Sequence, residues 1–247
     1  MDKQKYDAIA HTLLRYCSPI NDEMVDEIAV LMRLTPGLKV IDLGCAKAEI
    51  LIRMADRCQV QAYGVDTSPQ YLQAAKAAIA TRVPAADITL EETSVVDYQG
   101  EPESFDAVMC VNSSELYQSY DKALMEIAKL AKPGAMVLMG DYYWRDEPQA
   151  EISNGFDVTK DYYGAIETGL QEGLNSIYAS VCTQIDIDRY IWSQCYSIEM
   201  YTADNPDDED VPAMLNHARM IRNLYVEFGH KTLGFGLFLY RKPLYED

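Results

Sequence analysis

From Leu38 to Met139 the chain alternates short apolar runs with amphipathic stretches: LKVIDLG, AEILIRMADRC, VQAYGVD, SPQYLQAAKAAIATR, ITLEE, FDAVMCV, YDKALMEIAKLAK and AMVLMGD. Apolar runs bounded by turn residues suit strands buried on both faces, and the amphipathic pieces between them suit crossover helices. This rhythm constrains the unit to a mostly parallel α/β sheet. Ser68-Pro69 reads as an N-cap followed by proline in the first helical turn, and Pro133-Gly134 is expected to close a helix before the strand AMVLMGD.

On the N-terminal side, residues 2–16 and 21–34 read as two helices separated by SPIN, because Pro19 cannot sit inside one continuous helix. On the C-terminal side, residues 141–175 carry Gly155, Gly164, Gly169 and Gly173 and read as loop and helix. A strand LNSIYASVCT, a polar helix near 186–202 and the acidic loop ADNPDDED come next. In VPAMLNHARMIRNLYVEFG, Val211, Met214, Leu215, Ala218, Ile221, Leu224, Tyr225 and Phe228 share one helical face. TLGFGLFLY reads as the closing strand. Asp210 is expected to cap the helix beginning at Val211-Pro212, and DNPDDED lacks the spacing of a calcium loop.

Charge narrows the partners. Lys plus Arg number 21 against 39 for Asp plus Glu, a net charge of -18, and such a surface repels phosphate backbones and anionic lipid headgroups. Nucleic acid and membrane are therefore not expected as partners. No signal-peptide pattern or membrane-length apolar run is read, so the expected location is cytoplasmic. The six cysteines, at 17, 45, 58, 110, 182 and 195, form no CxxC pair, and the histidines at 11, 217 and 230 have no ligand spacing to them. Free thiols and no metal site are expected.

The chemistry concentrates where strand LKVIDLG ends in Asp42 and turns through Gly44-Cys45-Ala46-Lys47-Ala48-Glu49, with the next strand ending in Asp66. Ligands of open α/β sheets bind at such carboxyl ends. A glycine permits close backbone approach, and a carboxylate about 20 residues on can accept both hydroxyls of a ribose. A dinucleotide fingerprint would place glycines at 44, 46 and 49, where this chain has Gly44, Ala46 and Glu49, and Glu49 would repel a pyrophosphate at the helix N-terminus. A phosphate-free, positively charged nucleoside suits the acidic loop better. S-adenosylmethionine, a sulfonium, is the common cofactor of that description.

VIDLGCAKAE, YGVD, FDAVMCV and LAKPGAMVLMGDYYW together resemble the class I S-adenosylmethionine-dependent methyltransferases over residues 38–145. HTLLRYCSPI, GDYYWRDEP and YVEFGHKTLGFGLFLYR extend the likeness to a bacterial subgroup of small-molecule methyltransferases. The resemblance implies a Rossmann-like, mostly parallel sheet of about seven strands with helices on both faces and helical lid additions. The chain then divides as one domain, 1–247, with an N-terminal helical lid (1–36), a cofactor-binding core (37–145), and lid helices with closing strands (146–247). By position it puts Asp42, Gly44 and Ala46 beside the methionine part of the cofactor and Asp66 with Thr67 at the ribose. Ser94 and Val95 fall beside the adenine, with Cys110, Val111 and Asn112 under it. The chain departs from the pattern by reading GCAKAE for GCGKGE, Ser94 for Asp and PGA for PGG. As a purely structural turn, Ala46 and Ala48 would simply favour the helix that follows.

Methyl transfer is an in-line displacement that needs alignment and dehydration more than acid and base. Where the acceptor must lose a proton, the candidates are His11, Tyr16, Tyr117, Asp141, Tyr142 and Tyr143. Trp144 follows a strand end, and Arg145 could hold an acceptor carboxylate, although Asp146 and Glu147 compete for it. The 18 tyrosines could steady a sulfonium through cation-π contact. The expected activity is methyl transfer from S-adenosylmethionine to a small molecule. The alternatives are a cyclase of the azetidine-2-carboxylate synthase type releasing methylthioadenosine, and a non-catalytic relative that keeps the fold. Oligomeric state is left open.

Overall fold

The computed structural model describes residues 1–146, 158 and 160–245; Gly155 and Glu147 lie outside them. Seven strands, β1 (Lys39–Leu43), β2 (Gln61–Asp66), β3 (Ile88–Glu92), β4 (Phe105–Val111), β5 (Ala131–Trp144), β6 (Asn175–Val181) and β7 (Leu233–Arg241), form one sheet in the order β3-β2-β1-β4-β5-β7-β6. β1 to β5 pair in parallel, and β7 runs antiparallel to both β5 and β6. The order reverses direction between β1 and β4, which opens a crevice at their carboxyl ends.

The helices are α1 (Lys3–Ala10), α2 (Asp22–Leu31), α3 (Glu49–Cys58), α4 (Pro69–Arg82), α5 (Tyr120–Ala128), α6 (Tyr162–Gln171), α7 (Gln184–Asp204) and α8 (Val211–Leu224). Their starts follow side-chain chemistry. Asn21, Ser68, Ser119 and Asp161 accept from the backbone N–H groups of Met24, Tyr71, Lys122 and Gly164, and Thr183 with Asp186 makes a reciprocal capping box on α7. Strand residues alternate between two cores. Val40, Ala107 and Met109 pack with α2, α3 and α4, while Ile41, Val108 and Cys110 pack with α5 and α6. Each fully buried Leu or Ile in these layers is worth roughly 2 kcal/mol. A separate cluster joins α1, α7 and α8 through Ala10, Ile198, Met214 and Ala218. Of the N-terminal 36 residues, then, α1 joins the outer helices, whereas α2 packs on the sheet.

Several local expectations change. The first helix stops at Ala10 rather than residue 16, because the carbonyls of His11 and Leu14 accept from the Lys47 ammonium instead of continuing the ladder. Pro133-Gly134 does not close α5, which ends at Ala128. It lies inside β5, where Gly134 has φ +81° and the β4–β5 register shifts. Asp210 makes no side-chain cap. It pairs with the N-terminal amine and Lys5, 3.4 Å each, while neighbouring Asp208 holds Lys5 at 2.6 Å. The helical face from Val211 to Phe228 is buried or half-buried as expected, but past Leu224 it continues as a π turn, Tyr225–Gly229. Among the described residues no helix is long and apolar enough to cross a membrane, and no group of side chains could hold a metal ion. All six cysteines are free.

Candidate active site

The carboxyl ends of β1, β2 and β4 open into a cavity of about 670 Å³, roofed by α1, α7 and α8. Its volume suits one ligand of cofactor size with room for a small second one. Gly44, at the end of β1, has φ +84°, and a Cβ there would stand 2.3 Å from Ser113 Oγ and 2.6 Å from Ser113 Cβ. Only glycine fits. Ala46 and Ala48 also lie in the left-handed region, at φ +45° and +54°, and both precede α3. The expectation that they favour the helix is thus wrong. Each occupies a conformation that costs an L-residue about 1–2 kcal/mol.

Asp66, at the end of β2, accepts from Ala46 N–H and Ser68 N–H, both at 2.8 Å. Burial holds its carboxyl above the ordinary range, with these backbone donors offsetting only part of that rise. Asp42 sits behind a recess of about 30 Å³ that shares Gly44, Ala46 and Val111 with the main cavity. Its carboxyl is raised to about 7, first by burial and then by the charge of Asp66, and its Oδ1 has no hydrogen-bond partner. Glu49 lines the same recess, and its Oε2 also lacks a hydrogen bond, with Arg15 Nε 3.6 Å away. The half-buried Glu49 is already paired with Arg82 at 2.5 Å, so it is the buried Asp42, with its open acceptor atom, that makes this recess a place for a cationic donor.

His11, Gly44, Ala46, Asp66, Thr67, Val95, Val111, Asn112 and Tyr142 all line the main cavity, and Asp42 and Tyr16 line the recess. Tyr16 donates to Asp22 at 2.8 Å. Ser94 is outside the lining. Cys110 is fully buried on the opposite face of the sheet, so neither it nor Tyr143 and Tyr117, in the same core, reaches the cavity. Trp144 is buried and donates to Val158 O at 3.1 Å. Arg145 bonds Gln184 at 2.8 Å and lies outside the lining, so it is not placed to hold an acceptor. Asp141 accepts from Ser114 Oγ and is also outside the lining.

The structure adds residues that sequence reasoning did not assign to the site: Asp7, Cys17, Tyr71, Ser113 and Tyr190 line the same cavity. Asp7 on α1 and His11 at its C-terminal cap stand four residues apart, and that spacing was a usable signal for the pair. Nothing in the sequence connects α7 to α1. Their junction is a hydrogen-bonded chain. His11 Nδ1 meets Asp7 O at 2.8 Å, His11 Nε2 meets Tyr190 Oη at 2.9 Å, Tyr71 donates to Asp7 Oδ2 at 2.6 Å, and Asn112 Nδ2 donates to Cys17 O at 2.9 Å. His11 and Tyr71, by hydrogen bond and charge, hold the Asp7 carboxyl below its ordinary range against the upward push of burial.

An open, mostly parallel sheet with this crevice at its switch point and acidic side chains at two adjacent strand ends defines an α/β protein built around a nucleoside-type ligand site. The chain belongs to the methyltransferase domain family, whose model matches residues 34–203. An uncharacterized protein of Escherichia coli strain K12, YjhP, is 22% identical over 96% of this chain and 98% of its own length. A methyltransferase of Thiobacillus denitrificans, solved in complex with S-adenosyl-L-homocysteine, superposes with a TM-score of 0.87 at 21% identity, covering 97% of this chain and 99% of that one. The 2-phytyl-1,4-naphtoquinone methyltransferase of Trichormus variabilis is 29% identical over 44% of this chain and 48% of its own. The chain thus spans about half the length of that relative.

Proposed function

We propose that this methyltransferase binds S-adenosylmethionine in the cavity and transfers its methyl group to a small molecule. The carrying observation is the open, buried Oδ1 of Asp42 in a recess beside Gly44, continuous with the cavity that Asp66 enters from the next strand. The residues fit the cofactor. Asp42 offers an acceptor to its ammonium group, and Asp66 retains lone pairs for the ribose hydroxyls after serving Ala46 and Ser68. Thr67, Val95, Val111 and Asn112 would flank the nucleoside. When bound, the cofactor supplies an activated methyl carbon.

This chain's own residues would then align the two partners and exclude water. α1, α7 and α8 close over the cavity, and Lys47 fixes the segment after α1 to the β1–α3 loop by donating to the carbonyls of His11 and Leu14. These helices would act as the acceptor lid. The free cysteines fit a reducing compartment, and we place the protein in the cytoplasm.

Mass spectrometry of the pure protein incubated with S-adenosylmethionine alone tests this reading. The cofactor should survive intact until an acceptor is supplied. Methylthioadenosine above the spontaneous background would instead make the cofactor itself the substrate of a cyclase. No turnover with any acceptor screened, despite binding, would favour the non-catalytic relative.

A further inference from the structure

We infer that the outer face of α7 docks a second copy of this chain, antiparallel, about a two-fold axis level with Gln194. α7 is apolar on two opposite faces. Ile187, Tyr190, Ile191 and Ile198 are buried against the rest of the molecule, as an amphipathic helix on a surface requires. On the far side Ile185 is 67% exposed, Trp192 48%, Tyr196 58% and Met200 43%. With the exposed Arg189, Glu199 and Ala203 these positions share one helical face, a stripe about 27 Å long at about 1.5 Å per residue. The chain has two tryptophans, and the other, Trp144, is buried. A contiguous apolar stripe around an exposed tryptophan is an interaction face.

The stripe is its own complement. Turned end for end about the level of Gln194, Trp192 comes level with Tyr196 of the second copy, Arg189 with Glu199 and Ile185 with Ala203, and each contact occurs twice, as an isologous pair requires. Among the described residues neither Arg189 nor Glu199 has an ion-pair partner in its own chain. Parallel docking would set Arg189 against Arg189 and Glu199 against Glu199.

Charge selects the occupant. The chain carries a net charge of -18, so two copies repel over most of their surfaces. The stripe holds one cation and one anion, spaced so that antiparallel docking opposes unlike charges at both ends. A partner of one sign would satisfy Arg189 or Glu199 and face the other with its like. Tryptophan, tyrosine and arginine are also the residues that dominate association energies. The edge strand β6 exposes Ile177 and Val181 too, but its register is interrupted between Ser176 and Tyr178, and Tyr178 is bonded to Glu27 at 2.7 Å, which suits a protected edge rather than a docking one.

One helix face is smaller than the roughly 800 Å² per partner of a standard complex, so the association should be reversible at micromolar concentrations. The inward face of α7 presents Tyr190, Ile191 and Gln194 to the cavity, and a copy seated on the outer face would back the roof of the site.

Sedimentation equilibrium of the full-length protein from about 1 to about 200 μM, with tryptophan emission read over the same range, tests this. The average mass should rise from 27.9 kDa toward twice that value, and the emission should move to the blue as Trp192 is covered. Trp192→Glu and Arg189→Glu should each weaken association at least about tenfold. Arg189→Glu combined with Glu199→Arg should restore it to within about threefold. These side chains are exposed and lie outside the cavity lining. A mass of 27.9 kDa throughout, association unchanged in Trp192→Glu, or no recovery in the charge swap would overturn the proposal. So would a monomer whose emission shifts only with phosphatidylcholine vesicles, which would give the face to a lipid surface. Should the variants misfold, the wild-type mass decides alone.

Discussion

Asp66 Oδ2 accepts the backbone N–H of Ala46 at 2.8 Å, a bond that pins the β1–α3 loop to the end of β2 and fixes the shape of the cavity between them. Asp66→Ala removes this acceptor and the one serving Ser68, and on the proposed reading it also withdraws the charged partner of the ribose. Affinity for S-adenosylmethionine should fall at least about tenfold, near 1.4 kcal/mol, with Asp66→Asn intermediate. Calorimetry on the three proteins checks this, and unchanged affinity would show that the pocket lies elsewhere.

Ala46 carries a Cβ at φ +45° without being deeply buried. Ala46→Gly should relieve the left-handed strain by more than glycine's extra chain entropy costs, a net gain of about 0.5–1 kcal/mol. The melting temperature should rise by about 2 °C in scanning calorimetry. A lower melting temperature would show that the methyl group's contacts matter more than the backbone conformation.

Asp42 titrates near 7 in the folded protein against an ordinary 3.8, because burial and the Asp66 charge disfavour its ionised form. The folded state thus holds a proton that the unfolded chain has released between those two values. This group's contribution to stability is present at low pH and is lost as pH rises from about 4 through about 7. Asp42→Asn should flatten that slope in the ligand-free protein and make it more resistant to urea at pH 8. Parallel urea titrations across this window, with equal slopes in both proteins, would contradict the assignment.

Lys47 Nζ donates to the carbonyls of His11 and Leu14, a charged donor on a segment with no helix of its own. Lys47→Met should free that segment, raising amide exchange across residues 11–20 by about tenfold while the sheet core keeps its protection. Exchange unchanged in 11–20 would mean that packing alone holds it.

The parallel core was legible because its central strands are buried on both faces and its helices are not. Period and punctuation therefore separate LKVIDLG from AEILIRMADRC without any tertiary knowledge. Asp42, Gly44 and Asp66 were legible for the same reason, since strand ends can be counted. The lining partners Tyr71 and Tyr190 were not, because they reach the cavity from α4 and α7, and sequence spacing carries no record of which helices roof a sheet. Cys110 and Val111 show the limit of reading by position: they are adjacent, but the strand pleat sends one to the cavity and the other to the opposite core. For Arg145 the sequence offered Asp146 and Glu147 as competing partners, whereas the fold places Gln184 beside it.

The most direct test of the central claim is calorimetric titration of S-adenosylmethionine and S-adenosylhomocysteine into the wild-type protein at pH 8, where Asp42 is ionised. The account expects saturable one-site binding of both at micromolar concentration or tighter, weakening for both as pH falls below about 7 and Asp42 takes up its proton. No heat from either ligand at concentrations well above that range would contradict it.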